Sequence, residues 1–250
     1  MPRFLTALPV YNEAAHVSAV LDEVLRFTPD VLVVDDGSTD GTSPLLAARV
    51  EQRGDIRVVQ HPRNQGYGAA LATAFRETLA GPWDGLVTID CDGQHEPQLI
   101  PAFVAAATAK APGGSTTDIV SGSRYLQRFE GDSEPPAARR RINAEITAEI
   151  NRRLGLDLTD AFCGFKAYTR HALEQLRIHE TGYAMPLEVW VQAAAASLRI
   201  VEIPVPLVYL DLARSFGGAL DDAATRLAYY RSVLDRAEAA VAAAVPGTAM

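Results

Sequence analysis

The segment Asp90-Cys91-Asp92-Gly93-Gln94-His95 places two carboxylates one residue apart, directly after the short apolar run Leu86–Ile89. At strand periodicity residues i and i+2 face the same way, so both carboxylates can reach one hard cation as the chain leaves a sheet. Mg²⁺ or Mn²⁺ takes oxygen ligands and commonly shares its shell with substrate phosphates. Gln94 offers a further neutral oxygen. The plain alternative is a polar turn that leads into a helix, with Pro97 near its first position. Asp35-Asp36-Gly37-Ser38-Thr39-Asp40-Gly41-Thr42 forms a second cluster. Capping and turning account for Ser38 to Thr42. Paired like charges at Asp35 and Asp36 repel unless something neutralises or hydrogen-bonds them, and a ribose or base edge is one such partner. Asn64-Gln65-Gly66-Tyr67-Gly68 has the look of a phosphate loop but lacks the third glycine and the lysine of the nucleotide-binding motifs. It reads equally as a turn that feeds a helix through close backbone packing.

Guanidinium groups bind phosphate in a bidentate fork, so the grouping of the arginines is informative. Arg124 follows an apolar run, Arg139-Arg140-Arg141 open a helical stretch, and Arg214-Ser215 follow an extended segment. Arg124 and Arg214 stand at junctions that face the clusters above; the triple run does so less clearly. His95 fits a helix-cap partner better than a ligand. Cys91 and Cys163 match no nucleophile signature.

These residues need a scaffold, and the hydrophobic pattern supplies one. Phe4–Leu8, Val31–Val34, Ile56–Val59, Leu86–Ile89 and Ile119–Ser121 read as buried strands, with helices over Ala14–Phe27, Ser43–Gln52, Gly68–Leu79 and Gln98–Lys110 between them. Such alternation predicts a parallel sheet with right-handed crossovers, and ligands gather at the C-terminal strand ends of these sheets. The polar clusters fall at those ends: Tyr11-Asn12-Glu13, Asp35-Asp36, Asp90-Cys91-Asp92 and Ser123-Arg124-Tyr125. The Gln127–Ala138 segment, with Gly131, Pro135 and Pro136 among charges, predicts a mobile loop. Beyond it come a helix over Arg139–Leu154, a strand over Phe162–Tyr168, helices over Ala172–Leu176 and Met185–Ala196, an extended Ile200–Tyr209 and a terminal helix over Asp221–Ala244. Leu227, Tyr230, Val233 and Leu234 give the last helix an apolar stripe, whose default use is to cover the core.

The chain has 250 residues, 48% of them hydrophobic and 22% charged, with a formal net charge of −8. That composition buries an ordinary core, and the acidic balance argues against a nucleic-acid partner. Two cysteines are too few for a disulfide framework and fit a reducing, cytoplasmic setting. No segment offers the roughly 20 apolar residues of a membrane span.

Leu8-Pro9-Val10-Tyr11-Asn12-Glu13, Val33-Val34-Asp35-Asp36-Gly37-Ser38-Thr39-Asp40, Asn64-Gln65-Gly66-Tyr67-Gly68, Asp90-Cys91-Asp92-Gly93-Gln94-His95, Gly122-Ser123-Arg124-Tyr125 and Asp160-Ala161-Phe162-Cys163-Gly164-Phe165-Lys166 follow in the order and spacing of family 2 glycosyltransferases. Within that family the chain most resembles the dolichyl-phosphate or polyprenyl-phosphate mannose and glucose synthases, over residues 3–216. The resemblance implies an α/β GT-A fold, a Rossmann-like, mostly parallel sheet flanked by helices, with a C-terminal helical extension. It implies one domain over residues 1–250: a nucleotide-sugar and metal half at 1–125, an acceptor half at 126–220, and a helix and tail at 221–250.

The resemblance further implies a nucleoside-diphosphate sugar, GDP-mannose or UDP-glucose, as donor. Carried over, Pro9, Tyr11, Glu13, Val34, Asp36 and the Asp90-Cys91-Asp92 segment would hold it. Asp90, Asp92 and Gln94 would hold Mg²⁺ or Mn²⁺, and Arg124 and Arg214 would contact phosphates. A lipid-phosphate acceptor is already anionic, needs no base, and implies peripheral contact at the inner face of a membrane. A hydroxyl acceptor would need a carboxylate base, for which Asp160 is first and Glu188 second. A silent nucleotide-sugar-binding module is a third reading, against which the intact Asp90, Asp92 and Gln94 set speaks. Cys163 stands where the family has serine, and Phe216 where it has lysine.

Overall fold

A computed structural model describes residues 2–109, 116–209 and 218–244. Strands β1 (Phe4–Val10), β2 (Val31–Asp35), β3 (Arg57–Gln60) and β4 (Gly85–Thr88) alternate with helices α1 (Val17–Val24), α2 (Thr42–Arg53) and α3 (Tyr67–Ala80). Then come α4 (Ile100–Thr108), β5 (Ile119–Ser123), α5 (Ala137–Leu154), β6 (Lys166–Thr169), α6 (Arg170–Gln175), α7 (Met185–Ala195), β7 (Ile200–Pro204) and α8 (Ala223–Ala244). The strands form one sheet in the order β3-β2-β1-β4-β6-β5-β7. All pairings are parallel except those of β6, which runs antiparallel to both β4 and β5.

The chain winds outward from β1 through β2 to β3 and then returns to place β4 on the other side of β1. This reversal leaves a crevice above the C-terminal ends of β1 and β4, where doubly wound sheets bind ligands. The reversed β6 matters to the site as well. Its register sets Lys166 against Thr88, so the turn before β6 stands at the same edge as the end of β4. Pro9 is accommodated because β1 pairs with β4 only as far as Ala7; beyond that point it has a partner on one side.

Alternation along β1 feeds two cores. Leu5 and Ala7 join α3, α5, α7 and α8 on one face, whereas Phe4, Leu8 and Val10 join α1, α2 and α4 on the other. The Gln127–Ala138 segment is tethered rather than loose. Ser133 N donates to Leu207 O at 2.7 Å, and Leu207 N donates to Asp132 Oδ1 at 2.9 Å. Its charges and prolines had suggested mobility, but the ribbon past β7 supplies the backbone partners that sequence pattern cannot reveal.

The Asn64–Gly68 loop is a packing device. Gly68 and Ala69 donate to Thr181 O at 2.8 and 3.2 Å, which draws the start of α3 against the 180–182 turn. A Cβ on Gly66 would stand 2.3 Å from Thr181 O, with φ at +105°, and one on Gly68 would stand 2.2 Å from Glu180 O. We expect Gly68→Ala to force the turn off α3 and destabilise the protein by about 1–3 kcal/mol. A lowered urea midpoint with an unchanged m value would show this, and an unchanged midpoint would refute it.

Candidate active site

A cavity of about 530 Å³ opens over the crevice. Pro9, Tyr11, Glu13, Asp36, Asp90, Cys91, Asp92, Gln94 and Arg124 all line it. Four expected residues behave otherwise, among them Asp160, which is buried behind Arg124 and does not line the cavity. Val34 is fully buried inside β2 among the α3-side core residues and does not line the cavity. Glu188 lies outside the cavity in the first turn of α7. Its Oε2 accepts from His179 N and Glu180 N, both at 2.8 Å, so it clamps the turn that carries Tyr183. Arg214 lies outside the described residues.

The loops at the strand ends are stitched to one another. Asn12, held at φ 56°, accepts from Thr39 N at 2.8 Å, and Glu13 N donates to Thr42 Oγ1 at 2.9 Å. The crowded aspartates find their partners within the protein. Asp35 accepts from Ser38 N at 3.0 Å and Ser43 Oγ at 2.5 Å. Asp36 meets His61 Nδ1 at 2.6 Å and accepts from Gln65 N and Gly66 N at 2.9 and 2.8 Å. Asp36 thus fixes the Asn64–Gly68 loop from the cavity floor, a task that the partner thirty residues away hides from sequence reading.

Asp90 sits where β4 ends and the β6 turn arrives. Its Oδ1 accepts from Tyr67 OH at 3.1 Å, and its backbone N–H donates to His95 Nδ1 at 3.1 Å. His95 therefore serves the turn as a partner. A Cβ on Gly164 would come within 2.3 Å of Asp90 Oδ2, so only glycine leaves room for this carboxylate. Burial pushes the Asp90 carboxyl up. Asp92 Oδ1 accepts from Gln94 N at 3.0 Å. A hard divalent cation suits this donor set: two carboxylates at one strand end, one of them held above its ordinary range by desolvation that a cation would offset. Among the described residues no three His, Cys, Asp or Glu side chains form a complete metal set. Asp90, Asp92 and Gln94 would therefore share the ion with substrate and water oxygens.

Asp160 is completely buried. Its Oδ2 accepts from Arg124 Nε at 2.6 Å and its Oδ1 from Arg124 Nη2 at 3.0 Å, with Asn143 Nδ2 at 2.9 Å and Phe162 N at 3.1 Å. Glu202 of β7 fixes the segment by accepting from Thr159 N and Asp160 N at 2.7 and 3.0 Å. Burial alone would raise the Asp160 carboxyl; the Arg124 guanidinium and the Asn143 amide outweigh it and hold it at about 2. The expectation of a proton-accepting Asp160 gives way here. A carboxylate so acidic, so enclosed and so fully engaged aims Arg124 into the cavity instead of taking a proton from an acceptor.

Sequence reasoning missed several cavity residues. Tyr67 and Tyr183 stack with ring centroids 5.9 Å apart, and Arg226 and Tyr230 also line the cavity, as does Arg139, the first residue of the arginine run noted above. The arginine four residues before Tyr230 on the apolar stripe of α8 was the available signal for Arg226.

A mixed, mostly parallel seven-stranded sheet with a carboxylate pair at its switch point, and arginines lining the same cavity, gives the chain a GT-A-like architecture. The chain matches the glycosyl transferase family 2 profile over residues 6–177 and belongs to that family; it is a glycosyltransferase. It is 33% identical over 230 residues to an undecaprenyl-phosphate mannosyltransferase of Micrococcus luteus, covering 88% of this chain and 90% of that one. It is 30% identical over 253 residues to a polyprenol monophosphomannose synthase of Mycolicibacterium smegmatis, covering 96% and 91%. In fold it is similar to glucosyl-3-phosphoglycerate synthase from Mycobacterium tuberculosis in complex with Mn²⁺ and uridine-diphosphate-glucose. The TM-score there is 0.69 at 20% identity, over 99% of this chain and 81% of that one.

Proposed function

We propose that the enzyme moves a hexose from a nucleoside-diphosphate sugar, GDP-mannose or UDP-glucose, to a polyprenyl phosphate, with inversion at the anomeric carbon. The distribution of charge around the cavity carries this reading. Its carboxylates, Glu13, Asp36, Asp90 and Asp92, all come from the first half of the chain. From residue 124 onward the charged side chains that line it, among the described residues, are Arg124, Arg139 and Arg226. Among the described residues that part of the lining offers a hydroxyl acceptor no carboxylate base, whereas a phosphate acceptor brings its own anionic oxygen. The names of the Micrococcus and Mycolicibacterium relatives support the same acceptor class.

An oxygen of the acceptor phosphate attacks the anomeric carbon. The new C–O bond forms as the bond to the diphosphate breaks, and the electron pair leaves with the nucleoside diphosphate. No proton needs to move. Mg²⁺ or Mn²⁺ held by Asp90, Asp92 and Gln94 would neutralise charge that gathers on the departing diphosphate. Pro9, Tyr11, Glu13 and Cys91 wall the donor end, Tyr67 steadies Asp90, and Asp160 aims Arg124 at phosphate oxygens. No helix among the described residues is long and apolar enough to cross a membrane, and the reading has the enzyme meet its lipid acceptor peripherally.

The test supplies purified protein with each donor, Mn²⁺ or Mg²⁺, and a polyprenyl phosphate. We expect an acid-labile lipid-linked hexose whose formation stops when the metal is chelated. A glycoside of a hydroxyl acceptor, or donor hydrolysis alone, would overturn the proposal.

A further inference from the structure

Glu202 stands in β7, the last strand of the sheet, where the parallel register sets it opposite Ser121 of β5. Ser121 and Ser123 lie two residues apart on β5, so the three side chains share one face. The Glu202 carboxylate is half-buried and meets three donors. Its Oε2 accepts from Thr159 N and Thr159 Oγ1 at 2.7 and 2.8 Å, and its Oε1 accepts from Asp160 N at 3.0 Å. Thr159 Oγ1 in turn lies 2.5 Å from Ser123 Oγ. Ser123 Oγ accepts from Tyr125 N and Leu126 N at 3.2 and 3.1 Å, which folds the chain around Arg124 as it leaves β5.

The donors and acceptors give this row of groups one direction. A hydroxyl has one proton and two lone pairs. Two backbone N–H groups occupy the lone pairs of Ser123 Oγ, so its proton goes to Thr159 Oγ1. Thr159 Oγ1 then donates its own to Glu202 Oε2. The row must end on a group that only accepts, and a carboxylate is that group; an amide there would turn an NH2 against Thr159 N or Asp160 N. Arg124 is held from both branches. Its backbone lies in the turn that Ser123 fixes, and its guanidinium is forked onto Asp160, whose N–H is the third donor to Glu202. Glu202 and Thr159 do not line the main cavity but a second one of about 400 Å³, so they act on the site through Arg124 and not by touching substrate.

We infer that Glu202 is a positioning residue for glycosyl transfer: its carboxylate sets Arg124 from two sides, through Thr159 and Ser123 along the backbone and through Asp160 at the guanidinium. The inference rests on the proposed function, which has Arg124 meet phosphate oxygens. A guanidinium anchored only at its head shifts whenever its loop shifts. Tying loop and head to one carboxylate on a sheet strand fixes both in a single frame, as charge stabilisation at a reacting centre requires.

Transfer to farnesyl phosphate by the full chain tests this for Thr159→Val, Thr159→Ser and Glu202→Gln. Thr159→Val keeps the shape of the side chain and removes the hydroxyl through which the row runs. It is expected to lower kcat about tenfold, with Thr159→Ser recovering most of the loss and Glu202→Gln losing at least as much as Thr159→Val. A role in packing alone is separated by repeating the measurement in Arg124→Ala, where Thr159→Val and Glu202→Gln should cost no further turnover. Equal losses with and without the Arg124 side chain, or full turnover in Thr159→Val, would overturn the inference. Should Glu202→Gln fail to unfold cooperatively, Thr159→Val and Ser123→Ala, which change little volume, decide by the same cycle. A wild type that glycosylates a hydroxyl acceptor but not farnesyl phosphate defeats the proposed function and this inference together. Transfer to farnesyl phosphate that Arg124→Ala impairs and Thr159→Val does not defeats the inference alone.

Discussion

Replacing Asp92 by asparagine is expected to lower turnover by at least about a thousandfold while leaving the fold intact, the scale on which removed transition-state electrostatics act. The geometry makes asparagine the sharper probe. Asp92 Oδ1 accepts from Gln94 N, and the amide oxygen of asparagine can keep that turn. What it removes is the negative charge that a divalent cation needs at the strand end. Asp92→Ala should be equally inactive but also lose the turn. Circular dichroism and a denaturant midpoint would confirm the fold, and calorimetric titration with Mn²⁺ and donor would show the metal-dependent part of donor binding lost. Retained metal-dependent turnover in either variant would mean that the metal site has been misplaced.

Asp90 and Asp92 were legible in the sequence because two independent signals coincide there, a buried strand and a same-side carboxylate spacing. The first four strands and most helices were legible for a related reason: each carries its own periodicity. The direction of β6 was not, since alternation reads the same in both senses along a strand, and only pairing with β4 and β5 decides it. Environment was likewise invisible. Asp160 and Glu188 are recognisable as carboxylates, but whether a carboxylate is poised or engaged depends on Arg124 thirty-six residues away in one case and on two backbone amides in the other. Asp36 illustrates the same point through His61, which also bonds Thr73 of α3 at 2.9 Å and so ties the cavity floor to a helix. The C-terminal helix was legible as a helix with an apolar stripe. Its contribution to the cavity became visible only when α5 and α7 were seen to dock it over the crevice.

Asp160→Asn is expected to cost about 3 kcal/mol of stability and to slow transfer about a hundredfold, through Arg124 rather than through a lost base. The stability term has a pH signature with a definite sign. The folded-state carboxyl titrates at about 2, below its ordinary value, so the native state favours the charged form. Its contribution, about 2 kcal/mol, is therefore fully present above pH 4 and disappears as the pH falls toward 2. Denaturant midpoints at neutral pH, near pH 4 and near pH 2.5 should show that decline in the wild type and a flatter profile in Asp160→Asn. The kinetic term separates positioning from proton transfer. If Asp160 only orients Arg124, then Arg124→Ala and the double variant lose about as much activity as Asp160→Asn, because each change breaks the same bidentate pair. Were Asp160 instead the base, the two losses would add in the double variant. The closed environment around its two oxygens, occupied by Arg124, Asn143 and Phe162, leads us to expect the non-additive result.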